Sequence, residues 1–191
     1  MRKPHFFNLY SNLGVRKLWR GVECDMQAMR NAPQYFWDDD FKNKFPKAKI
    51  DNFICHDSAE VKDWNDYLSK YVANVQAISE LIENKLQTKE TSVVIGGDHS
   101  IALPNILANL QRVDSTEKFG VLIFDSHEDF MQSEISRATS TGNFHGMWLR
   151  PLFDKFDEPV LDNLVPHKLP LSNLFYVGNL DIEDEPKDFF A

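Results

Sequence analysis

From Ser58 to about Leu86, the apolar residues Val61, Trp64, Leu68, Tyr71, Val75, Ile78, Ile82 and Leu86 recur every three or four positions. That spacing predicts a long amphipathic helix with one stripe on a core. Shorter apolar runs lie on either side of it. Residues 5–11 and 50–55 read as strands, as do Val93-Val94-Ile95, Val121-Leu122-Ile123-Phe124 and Leu174-Phe175-Tyr176-Val177, the last closed by Gly178. Runs of this kind suit strands buried on both faces. A further helix is expected soon after Ser100, with Ser100 as its cap and Pro104 in its first turn, ending near Gln111. Strand alternating with helix calls for a parallel sheet flanked by helices. No internal repeat or low-complexity linker divides the chain.

Composition and charge exclude some functions without choosing one. At 191 residues the chain is long enough for one well-buried domain and short for two. A net charge of −8 speaks against a general binder of nucleic acid or of anionic membranes. No stretch approaches the roughly twenty apolar residues of a membrane-spanning helix. The opening Met1–Phe7 lacks the apolar segment of a secretory signal. Cys24 and Cys55 lack a metal-type or redox-type spacing and read as free thiols in a reducing, cytoplasmic setting.

Chemistry concentrates in three segments. Gly96-Gly97-Asp98-His99-Ser100 follows one predicted strand and Asp125-Ser126-His127-Glu128-Asp129 follows another, where open α/β sheets carry their sites. An extended backbone would turn Asp125, His127 and Asp129 to one side and Ser126 and Glu128 to the other. With His99 these residues form a set of oxygen and imidazole donors suited to Mn²⁺, Mg²⁺ or Fe²⁺ rather than structural zinc. Two such ions about 3.5–4 Å apart lower the pKa of a bridging water for attack on a planar carbon. Asp98 is placed to orient a ligand imidazole. The third segment, Thr139–Met147, has loop composition around His145, a candidate proton shuttle beside polar groups for a substrate. Each segment alone has a plainer reading, as a strand-end hydrogen-bonding cluster, a capped turn or a turn-rich connection. Together, after two strands, they favour a metal site. His5, His56 and His167 have no such company and read as surface or satisfied core residues.

In this order the three segments resemble the ureohydrolase family, the arginases, agmatinases and their relatives. The family's Gly-Gly-Asp-His-Ser and Asp-Ala-His-x-Asp segments and the arginase Ser-Gly-Asn-x-His-Gly loop stand here as Gly96–Ser100, Asp125–Asp129 and Thr141–Gly146. Arg20–Glu23 and Arg30 are similar to the arginase N-terminal segment. The resemblance implies an α/β fold, a three-layer α/β/α sandwich with a mainly parallel sheet. It also implies a two-Mn²⁺ centre and hydrolysis of guanidino-type C–N bonds with release of urea, as in arginine metabolism. Carried over by position, His99, Asp125, His127 and Asp129 are metal ligands, Asn143 and Thr141 contact the substrate, and His145 moves protons. The expected partner is a small guanidino substrate; a homo-oligomer is compatible with the resemblance.

The chain departs from the family at several points. Ser126 replaces alanine, Thr141 replaces serine, and Met131 stands where arginases carry an asparagine. Gly178–Glu183 only loosely echoes a later family segment. The family's further aspartate ligands, in a Ser-x-Asp-x-Asp strand end, have no counterpart before Ala191. Residues 1–191 are thus expected to be a single ureohydrolase-like domain incomplete at its C-terminus, lacking its last strands and holding at most one ion. The alternative is a non-catalytic ureohydrolase-like remnant or a partner-binding fragment. A binuclear metallophosphatase is opposed by the order of the segments.

Overall fold

The computed structural model describes residues 2–15 and 26–178. In chain order it contains β1 (Lys3–Tyr10), α1 (Met26–Arg30), α2 (Ala32–Phe36), α3 (Asp39–Lys44), β2 (Lys49–Ile54), α4 (Trp64–Lys85) and β3 (Glu90–Gly96). Then follow α5 (Ala102–Leu110), β4 (Val121–Phe124), α6 (Ser133–Thr139), α7 (Arg150–Phe153), α8 (Pro159–Asp162) and β5 (Leu174–Val177). Every predicted strand is present, with ends shifted by a few residues. Arg20–Glu23, Cys24 and the Asn179–Glu183 segment lie outside the described residues.

The strands pair in parallel throughout, β2-β1-β3 in one sheet and β4-β5 in another. Helices cover both faces of the first sheet. Phe7 and Leu9 of β1 pack with Ile78, Ile82 and Leu86 from α4 and its end and with Ala108 of α5. Phe6, on the opposite face, meets Trp37, Phe41 and Phe45 edge-on. His5 is a satisfied core histidine, its ring between Asp51 of β2 at 2.7 Å and Glu90 of β3 at 3.2 Å. His56 and His167 are exposed.

Four expectations change. The single sheet is two sheets: among the described residues no ladder joins β3 to β4. β4 is buried on one face only, since Val121 and Ile123 point into the core while Leu122 and Phe124 are exposed. Ser100 is not a cap. Asp98 accepts the Ser100 N–H and caps a 3₁₀ turn at His99–Ile101, after which α5 begins. α4 likewise starts at Trp64 rather than Ser58, because Val61 is extended and the Asp63 carboxylate caps the Asp66 N–H. A larger core joins Tyr67, Tyr71 and Val75 of α4 to Val121, Ile123, Phe130, Phe144 and Trp148, and it supports the loops that follow β3 and β4. Met131 is part of it.

Candidate metal centre

β3 and β4 each end at a turn that the sequence builds from short polar side chains. After β3, the Asp98 carboxylate accepts from Ser11 Oγ at 2.9 Å, the Gly14 N–H at 3.2 Å and the Ser100 N–H at 3.0 Å. Asp98 therefore pins the His99 turn to the segment after β1, and orienting an imidazole is not its observed task. Gly97 has no alternative here: a Cβ would lie 2.1 Å from the Ser11 carbonyl oxygen and 2.2 Å from that of Met29.

After β4 the chain does not stay extended. Asp125 keeps one ladder bond, its N–H to the Val177 carbonyl at 3.2 Å. Its side chain then accepts the His127 N–H at 3.0 Å, an Asx turn that bends the backbone. Asp129 takes φ +53°, in the left-handed region. The alternation of a strand therefore does not decide which way these residues face. His127 is turned outward, its side chain 64% exposed, with Nδ1 3.5 Å from Asp125 Oδ1 and 3.2 Å from Ser126 Oγ.

The folded loops bring His99, Asp125 and Asp129 together, with one donor atom of each within 4.8 Å of the others. His99 Nδ1 lies 2.6 Å from Asp129 Oδ2 and 3.1 Å from Asp125 Oδ2. Burial works against a charged His99 ring, but the hydrogen bond to Asp129 and the fields of Asp129, Asp125 and Asp98 outweigh it and raise its pKa. Burial also pushes the Asp125 carboxyl up, and the His127 N–H and the His99 charge bring it below its ordinary value.

This donor set fits a divalent cation. It has two carboxylates and an imidazole, and an ion with bonds near 2.1 Å holds adjacent ligands about 3 Å apart, comparable to the 2.6 and 3.1 Å from His99 to the two carboxylates. The two carboxylates also converge on positive charge, and a cation held by neutral His99 answers the same field. His127 stands outside this trio, in reach of Asp125 alone among its members.

The Thr139–Met147 segment is placed by α4. The Phe144 ring stacks on Tyr71 at 4.0 Å, and its N–H donates to the Tyr67 hydroxyl at 3.1 Å. The turn at Phe144–Gly146 packs against the turn at His99–Ile101. His145 is half-buried, with its N–H and its ring Nδ1 each 3.1 Å from the Gly14 carbonyl oxygen. A carbonyl only accepts, so Nδ1 carries the proton and Nε2 is the nitrogen left for proton transfer. Asn143 is buried and Thr141 half-buried.

Two contributors have no signal in the sequence pattern. Tyr176 of β5 donates its hydroxyl to the Glu128 carbonyl at 2.6 Å and ties the loop to the sheet. Trp148 donates its indole N–H to Asp129 Oδ2 at 2.8 Å. Both are long side chains reaching back across the fold.

Comparisons with known proteins bear on the family and the fold. The family model described as "Arginase family" matches residues 15–190. Arginase from Staphylococcus aureus (strain COL) is 27% identical over 187 residues, which cover 94% of this chain and 57% of that protein. The crystal structure of Entamoeba histolytica arginase in complex with L-ornithine matches with a TM-score of 0.74 at 22% identity, over 99% of this chain and 62% of that one. Formimidoylglutamase from Bacillus subtilis matches with a TM-score of 0.57 at 16% identity, over 99% of this chain and 52% of that one. The chain thus spans less than two thirds of the length of these relatives. The structural likenesses show a shared α/β fold, and they extend to proteins of different printed activity.

Proposed function

The chain belongs to the arginase family, and from that premise we propose that His99, Asp125 and Asp129 hold a divalent cation, Mn²⁺, in a hydrolytic site for guanidino C–N bonds. The convergence of these three donors beyond the ends of β3 and β4 is the observation that carries the reading. His127 completes the set by rotating its exposed ring inward past Asp125. A divalent cation, when bound, supplies Lewis-acid activation of water.

The chain's own groups do the rest. His145 Nε2 accepts and returns protons while Nδ1–H stays anchored on Gly14. Asn143 and Thr141, on the same loop, offer an amide and a hydroxyl to the polar end of a guanidino substrate. Met131 takes no part in substrate binding, since it is packed in the core. Urea release from arginine, agmatine and related guanidino compounds, measured with and without Mn²⁺, tests the reading. The expected result is Mn²⁺-dependent turnover that Asp125→Asn abolishes.

A second reading is a metal-binding piece without turnover. It is favoured by the donor count, because among the described residues three groups converge, enough to hold one ion and too few for a pair. Counting bound Mn²⁺ alongside the urea assay separates the two. One bound ion without urea supports the second reading, and turnover excludes it.

A further inference from the structure

Asp129 is held at two points by consecutive residues. Its carbonyl accepts the Leu149 N–H at 3.3 Å, and its Oδ2 accepts the Trp148 indole N–H at 2.8 Å. Among the described residues it has the only positive φ outside glycine, a conformation that persists only where its surroundings enforce it. Trp148 is 1% exposed within the large core, and its ring lies 4.8 Å from that of His99. One side chain thus touches two of the three converging donors. Trp148 lies outside the three segments that carry the family resemblance.

We propose that Trp148 is a positioning residue of the metal centre, fixing Asp129 through the indole N–H so that the carboxylate meets the cation already oriented. The inference rests on the metal reading above. A buried indole N–H needs an acceptor, so the Asp129 side chain cannot swing away without orphaning it. A carboxylate oxygen has two lone pairs; the indole takes one at Oδ2, and His99 Nδ1 lies 2.6 Å from the same oxygen, so Asp129 would present an already oriented carboxylate to a cation. The indole face limits the His99 ring in the same way. Outer groups of this kind set ligand orientation, and their loss weakens metal affinity by about 10–100-fold.

The test is Mn²⁺ titration of the 191-residue chain, followed by the electron paramagnetic resonance signal of the free ion. It compares the unaltered chain with Trp148→Phe and with 3-benzothienylalanine placed at residue 148. The last replaces the N–H with sulfur and keeps the bicyclic shape. Both variants are expected to bind Mn²⁺ about 10–100-fold more weakly, while the benzothienyl variant without metal keeps the circular dichroism and the cooperative melting of the unaltered chain. If the benzothienyl variant binds Mn²⁺ as tightly as the unaltered chain, the proposal is overturned, because ring bulk rather than the N–H then matters. If the unaltered chain takes up no Mn²⁺, or takes up as much after Asp125→Asn, the metal reading itself falls and this inference falls with it.

Discussion

Asp57 gathers the segment after β1 around one carboxylate. It accepts from the Ala59 N–H, Asn12 and Gln27, each at 3.0 Å, and from the Arg30 guanidinium. Burial acts to raise its pKa, but these four donors bring it down to about 2. In the unfolded chain an aspartate titrates near about 3.9. Asp57 therefore stabilises the fold above that pH and loses its effect as pH falls towards about 2. Asp57→Asn should lower the urea midpoint near neutrality and flatten its fall in acid; an equally steep fall would contradict this. On the proposed metal reading, Asp125→Asn should weaken Mn²⁺ binding by more than about tenfold, since it would remove a ligand rather than an outer partner. His127→Ala should also weaken binding, and unchanged affinity would remove His127 from the ligand set. Cys55 is chemically quiet, because burial pushes its thiol up to about 12.

Among the elements, α4 was the most legible, since 22 residues repeat one apolar stripe. The strands were legible as short apolar runs, and Gly178, at φ +91°, does end β5. The short helices α1 to α3 and α6 to α8 were not, because four to seven residues cannot establish a 3.6-residue period. The loop after β4 was misjudged for a related reason. Alternation holds only while the backbone stays extended, and the Asx turn at Asp125 ends that two residues before His127. What α4 does for the His145 loop can be tested directly. Tyr67→Phe removes the acceptor of the buried Phe144 N–H, at a cost of about 1–3 kcal/mol. Urea unfolding should show that loss, and amide exchange at Phe144 and His145 should quicken; unchanged exchange would mean that ring stacking alone holds the loop.

Across the whole molecule, the outer face of β4-β5 presents Leu122, Phe124, Phe175 and Val177, each about half exposed or more. An apolar patch of this kind, on a parallel pair that no further strand flanks among the described residues, invites self-association. Phe124→Lys with Phe175→Lys should lower light scattering at high protein concentration while leaving the circular dichroism unchanged; scattering as strong as before would place the sticky surface elsewhere. The sequence by itself determined the five strands, the helices α4 and α5, the parallel pairing and the residue types at two strand ends, because period, apolar run length and residue type are local properties of a chain. Tertiary structure alone decided the division into two sheets, the outward turn of His127 and the grip of Trp148 on Asp129. Each of these depends on hydrogen bonds and packing between residues brought together only by folding, or on a backbone turn that the spacing of polar residues does not reveal.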